Sequence, residues 1–165
     1  MIVFDLDPGP PAGLAECCRV ALALKPVLES EGALPIVKTS GLAGLHIYGA
    51  LSTPGVFADT RSRARSIAHD LSGELGGLVT ISKARSQRGG RIFADWSQNS
   101  PRRSMPAPYS LRTAAIPLVS TPLSWEEVET AVAEGRADHL YFSPSEVIER
   151  THLLGDLFRP ATLDE

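Results

Sequence analysis

Cysteine is nearly absent from this sequence, and the two that occur, Cys17 and Cys18, are neighbours. Adjacent residues in a helical segment point in different directions and neither has a CxxC partner, so neither a disulfide nor a zinc site is expected. Long apolar runs are missing as well; none approaches the roughly 18 to 20 residues that span a bilayer. The start, MIVFDLDPG, has no basic stretch, apolar core and small-residue cleavage site of a secretion signal. These absences predict a soluble, cytoplasmic protein with no membrane partner. Charge of one sign is also scarce, because 16 Lys and Arg against 19 Asp and Glu leave a formal net charge of −3. Any contact with phosphates must therefore be local rather than carried by the overall field. One local source is visible where Lys83, Arg85, Arg88, Arg91, Arg102 and Arg103 crowd together, either as a solvated basic loop or as the flank of a phosphate site.

The 165 residues suit a single domain spanning positions 1–165. Ile2-Val3-Phe4 read as a strand that runs through Asp5-Leu6-Asp7 to the breaker Pro8-Gly9-Pro10-Pro11. From Ala12 to Glu31 the apolar positions Leu14, Cys18, Ala21, Leu22, Val27 and Leu28 mark a helix with one buried face, kinked at Pro26. Strands are expected over Leu34–Val37 and Leu45–Leu51 about a polar turn, then a helix over Val56–Leu75. Further strands are expected over Leu78–Ser82, Arg91–Trp96 and Tyr109–Thr113. Ser124 with Glu127, and Ser143 with Pro144 and Glu146, are helix starts. The order predicts an α/β (α+β) fold, a mixed, largely antiparallel sheet with packed helices. Phe4, Leu22, Val37, Ile47 and Phe93 are expected in its core.

Asp5 and Asp7 are two apart on a strand, so both carboxylates project from one face. They repel, and that spacing suits either a solvated strand end or a divalent cation between them. Asp95, at the end of Ile92-Phe93-Ala94-Asp95, adds a third carboxylate at a strand terminus. Three aspartates could cradle two hard cations, such as Mg²⁺ or Mn²⁺, of the kind that serve an in-line displacement at phosphorus. The segment Lys38-Thr39-Ser40-Gly41-Leu42-Ala43-Gly44-Leu45-His46 joins two strands with two glycines, a hydroxyl, a lysine and an imidazole. It reads either as a tight hairpin or as a phosphate cradle; it does not match G-x-x-x-x-G-K-[ST], which excludes a P-loop.

Together these pieces resemble the archaeo-eukaryotic primase superfamily, with its D-x-D strand, S-G-x-x-G-x-H turn and second strand ending in Asp. The phrases FDLDPGP, KTSG, GLHIY, FADWSQN, APYSLR, VSTPLSWEEV and GDLF narrow the likeness to the polymerase domain of bacterial DNA ligase D, from Ile2 to about Pro160. The resemblance implies the RRM-like catalytic half of the primase-polymerase fold. It implies that Asp5, Asp7 and Asp95 bind two catalytic Mn²⁺ or Mg²⁺ ions, that Ser40, His46 and Arg112 contact a nucleotide's phosphates, and that Lys38 and Gln98 belong to the same site.

The activity implied is metal-dependent addition of ribo- or deoxynucleotides to a 3′-hydroxyl in bacterial non-homologous end joining. The partners implied are a nucleoside triphosphate, DNA ends or gapped DNA, a ligase module and a Ku-type protein, in a nucleoid-associated setting. Two departures stand beside it. Leu42 and Ala43 occupy a turn that in the family reads G-G-K-G, so a lysine is missing. The family domain also extends well before the position of Asp5, so the chain is expected to hold only the C-terminal catalytic half. The alternative is a non-catalytic nucleotide- or DNA-end-binding remnant of that domain.

Overall fold

The computed structural model describes residues 1–51, 56–113 and 115–159; Pro160, where the resemblance ends, lies outside them. The elements are β1 Ile2–Pro8, α1 Leu14–Ser30, β2 Ala33–Thr39, β3 Leu45–Leu51, α2 Phe57–Glu74, β4 Val79–Thr80, β5 Ile92–Asp95, β6 Leu111–Arg112, β7 Leu118–Val119, β8 Pro122–Leu123, α3 Trp125–Glu134 and α4 Pro144–Leu154. A six-stranded sheet runs in the order β4-β5-β1-β3-β2-β8, and β6 pairs with β7 apart from it. Among the described residues only the β4–β5 pair is parallel; the other pairs are antiparallel. The fold is therefore the mixed, largely antiparallel α/β arrangement that the element order predicts. Among the described residues no helix is long and apolar enough to cross a membrane.

The period of two along each strand sorts the sheet into two faces. Ile2, Phe4 and Leu6 of β1, Val37 of β2, Leu45 and Ile47 of β3, and Ile92 and Ala94 of β5 share one core with α1, α2 and α3. Cys17 and Cys18 are free and buried, and the Cys17 thiol packs 3.5 Å from the Leu6 carbonyl. The intervening positions, among them Asp5, Asp7, Lys38, His46 and Asp95, fall on the opposite face. There Ile36 and Tyr48 form a smaller cluster with Val3 and Phe158, the Phe158 ring standing edge-on to Tyr48 at 5.1 Å.

Two core expectations need correction. Leu22 is only half-buried at the rim of the core, where Leu24 takes the interior place on α1. Phe93 is 4% exposed yet lies outside the main core, because it is two residues from Asp95 and shares its face. The Arg88 guanidinium covers its ring at 3.7 Å. Local boundaries differ as well. α1 runs through Pro26 without a break. The expected 78–82 strand contracts to Val79–Thr80. Tyr109 has φ 63°, incompatible with an extended residue, so the 109–113 strand contracts to Leu111–Arg112. The expected capping box forms at Ser124/Glu127, and the helix expected to start at Ser143 does so with Pro144 in its first turn and a second capping box to Glu146.

After β5 the chain enters a 3₁₀ turn, Trp96–Gln98, held to β1 by one side chain. The Asn99 carboxamide accepts from the Val3 N–H at 2.8 Å and donates to the Val3 carbonyl at 2.7 Å. It thus stands in for a strand residue where β5 has ended. It also donates to the Trp96 carbonyl at 2.8 Å, closing the turn. Asn99→Ala would leave both Val3 backbone groups without this partner, and a loss of about 2 kcal/mol in urea unfolding is expected.

Candidate active site

The sheet register assembles a row of ionisable groups. Asp95 of β5 faces Asp5 of β1, Asp5 faces His46 of β3, and His46 faces Lys38 of β2. Four adjacent strands thus contribute two carboxylates, an imidazole and an ammonium at one level, and Asp7 lies two residues along β1 on the same face. Directly opposed residues on antiparallel strands have Cβ atoms roughly 4.5 to 5.5 Å apart, so the row is close-set by backbone geometry alone. The Gln98 amide nitrogen lies 3.4 Å from Asp5 Oδ2 and 3.2 Å from Asp95 Oδ2. A shared partner at those distances keeps the two oxygens inside the roughly 8 Å that a pair of ions could join. The other Asp95 oxygen accepts from the Ser97 amide at 2.8 Å and the Ser97 hydroxyl at 2.5 Å.

This crowding is electrostatically costly. Burial, then the Asp7 and Asp95 charges, push the Asp5 carboxyl up to about 7, against the pull of Lys38 and Gln98. Asp7 is also raised, by burial and by Asp95, while Arg88 counteracts. Burial and the positive charges of Lys38 and Arg112 bring His46 down to about 3, so the ring is neutral. Its Nε2 sits 3.5 Å from Asp5 Oδ1. Among the described residues His46 Nδ1 and Gln98 Oε1 are buried without a hydrogen-bond partner.

The donor chemistry fits hard divalent cations, which would favour the ionised carboxylates and relieve their repulsion. Among the described residues no three His, Cys, Asp or Glu groups are already gathered into a coordination shell. The Gln98 amide holds the Asp5 and Asp95 oxygens in its place.

The turn between β2 and β3 lies beside this row. Ser40 Oγ accepts from the Leu42 and Gly44 amides, each at 3.1 Å, and the Ser40 N–H donates to the Gly44 carbonyl at 2.8 Å. Gly41 has φ +74°, and a Cβ there would lie 2.4 Å from Arg112 Cγ; a Cβ at Gly44 would meet the Leu6 carbonyl at 2.2 Å. The two glycines thus let the turn press against Arg112 on one side and β1 on the other. Leu42 and Ala43 are exposed.

Lys38 does not reach the open side. It is fully buried, with its ammonium on the Ser120 hydroxyl and 3.4 Å from the Thr39 carbonyl. Burial and Arg112 lower it to about 7, with Asp5 opposing.

Sequence reasoning did not single out Ser97, Asn99 or Ser120, which brace Asp95, β1 and Lys38. The first two stand in the phrase FADWSQN, where the polar run Ser97-Gln98-Asn99 two residues past a strand-end aspartate is the available signal. Arg88 was visible only as one of six basic residues. Its folding back over Phe93 beside Asp7 depends on the loop, whose Arg88 guanidinium also donates to the Ser82 and Lys83 carbonyls at 3.3 and 3.1 Å.

Because Asp5 is raised in the folded state, its protonated form contributes stability that is fully present below about pH 4 and lost as the pH rises through about 7. The metal-free protein should therefore melt at lower temperature at pH 8 than at pH 5. Asp5→Asn should remove much of that dependence and be about 2–4 kcal/mol more stable than the parent at pH 8. Thermal unfolding across this pH range checks both.

The family model described as LigD, primase-polymerase domain, matches residues 1–158. The chain is 36% identical over 163 residues to the multifunctional non-homologous end joining protein LigD of Mycolicibacterium smegmatis, covering 99% of this chain and 21% of that protein. It is 29% identical over 132 residues to the bifunctional LigD of Bacillus subtilis, covering 79% of this chain and 22% of the relative. The polymerase domain of Mycobacterium tuberculosis ligase D, solved in complex with DNA, superposes with a TM-score of 0.91 at 35% identity, over 99% of this chain and 55% of that one. The chain thus spans about a fifth of the length of these relatives and about half of the solved polymerase domain. On this agreement of sequence, fold and family match, the chain belongs to the LigD primase-polymerase domain family.

Proposed function

We propose that this chain is a metal-dependent nucleotidyltransferase unit that adds nucleotides to a 3′-hydroxyl during bacterial non-homologous end joining. The observation that carries this reading is the shared open face: Asp5, Asp7 and Asp95 stand beside the Ser40 turn, His46 and Arg112. Asp5, Asp7 and Asp95 would hold Mn²⁺ or Mg²⁺, which when bound supplies charge neutralisation for the attacking and leaving oxygens. Arg112 can fork across two phosphate oxygens. Ser40 Oγ already accepts two amide bonds, so its own proton is free for a phosphate oxygen. Neutral His46 offers an N–H rather than a charge. Gln98 orients Asp5 and Asp95 toward each other through its amide. No side chain needs to act as a covalent nucleophile.

The partners in this reading are a ribo- or deoxynucleoside triphosphate and DNA ends or gaps, with a ligase module and a Ku-type end-binding protein acting nearby. The setting is the cytoplasm, on the nucleoid, and the 165 residues act as one domain. A second reading, a nucleotide- or DNA-end-binding module without turnover, is favoured by one observation: Ala43 leaves the turn without a cation.

Calorimetry with Mn²⁺ and a nucleoside triphosphate should show weak binding that Asp95→Ala abolishes. Ala43→Lys should strengthen it about ten- to hundredfold, the worth of one charge-assisted hydrogen bond. Extension of a primer on gapped DNA separates the readings: extension supports the enzyme, binding without extension supports the second reading, and absence of metal-dependent binding sinks both.

A further inference from the structure

The first half of α2 carries a basic feature that the candidate active site does not use. Arg61 and Arg65, four residues apart and so on one face of the helix, both reach the ring of Trp96, with guanidinium carbons 5.3 and 5.6 Å from its centroid. Like charges at this spacing repel on a helix, and covering an indole needs one apolar side chain rather than two cations. Neither arginine has a carboxylate within ion-pair distance among the described residues, whereas Arg63 between them is paired with Glu31. Both are exposed. In a chain of net charge −3, two unneutralised guanidiniums fixed beside one aromatic ring form a local site of strong positive potential. Their planar forks suit phosphate oxygens, and the indole keeps them from collapsing onto the surface.

The position of Trp96 gives the patch its meaning. Trp96 opens the three-residue 3₁₀ turn that ends at Gln98. A turn of that length spans only roughly 6 Å. At its far end Gln98 touches Asp5 and Asp95. One short rigid element therefore seats the arginine-flanked indole against α2 and the rim of the main core and sets the carboxylate-bridging amide on the site face, and Asn99 pins its end to β1.

We propose that Arg61 and Arg65, stacked on Trp96, grip the phosphodiester backbone of the DNA strand whose end lies at the Asp5–Asp95 pair. This rests on the reading given under Proposed function and adds to it a backbone contact on α2. Two phosphates are neutralised there, and no base is read.

The test is the salt dependence of binding to a fluorescein-labelled duplex with a recessed 3′ end, followed by anisotropy. Neutralising two phosphates contributes about 0.9 each to the slope of log K against log salt. The double variant Arg61→Gln/Arg65→Gln should therefore lose about 1.8 from the magnitude of that slope. The charge-preserving Arg61→Lys/Arg65→Lys keeps the parental slope, and so does Arg63→Gln, whose charge Glu31 already neutralises. Urea unfolding of each variant separates lost folding from lost contact, and the lysine double variant reports on charge even if the glutamine one folds poorly.

An unchanged slope in Arg61→Gln/Arg65→Gln, an equal loss in Arg63→Gln, or a parental protein that does not bind this duplex would each overturn the proposal. Calorimetry with Mn²⁺ and triphosphate on the same variants keeps the two claims apart. Intact nucleotide binding with an unchanged DNA slope defeats only the α2 contact, whereas lost nucleotide binding in the parental protein defeats the underlying reading.

Discussion

The repulsion among Asp5, Asp7 and Asp95 is the constraint around which the rest of the site is arranged. Strand pairing places Asp5 opposite Asp95, and no rotamer change can carry them far apart while β1 and β5 remain hydrogen-bonded. The surroundings moderate this charge without cancelling it. Gln98 donates to both carboxylates, Ser97 saturates one oxygen of Asp95, Lys38 acts on Asp5 through the interior, and Arg88 acts on Asp7. Asp5 still sits near neutrality in its titration. The cost falls on one sheet face, while the other face is a conventional apolar core, and it is this uncompensated charge that the proposed cation would relieve.

Much of this was legible in the sequence because it depends on short-range periodicity. The two-residue spacing of Asp5 and Asp7, the apolar run before Asp95 and the glycines flanking Leu42-Ala43 each specify a local geometry. Strand alternation then fixes which face those residues share. The capping box at Ser124 and the helix start at Ser143 are legible for the same reason. What failed was parity at Phe93: its apolar character suggested the core, but its register with Asp95 puts it on the site face, where Arg88 supplies the cover. Long-range substitutions of backbone by side chain were also hidden. Asn99 completing β1 and Ser120 receiving Lys38 involve partners 96 and 82 residues apart in sequence, and no local pattern announces them. The phrases APYSLR and GDLF are recognisable, yet their meeting is not: the Tyr109 hydroxyl donates to Asp156 at 2.5 Å, and Phe158 stands on Tyr48 on the same sheet face as the site.

The turn shows how one motif serves two masters. Its glycines were read as room for an anion, and the structure gives the more immediate reason that a Cβ at either would strike Arg112 or β1. That packing sets Arg112 against the turn at Gly41, so a tight hairpin and the proposed phosphate cradle are compatible rather than rivals. Lys38 is buried against Ser120 and Thr39, from where its charge bears on Asp5 and His46.

Proton release on metal binding tests the central claim most directly, since a cation that settles among these carboxylates must displace the proton held by Asp5. Titration of Mn²⁺ in buffers of different ionisation enthalpy at pH 7 should reveal release of about half a proton per binding event, as expected for a group titrating near that pH. The release should fade at pH 8.5 and vanish in Asp5→Asn. Binding of Mn²⁺ with no buffer dependence at pH 7, or no binding at all, would contradict the account.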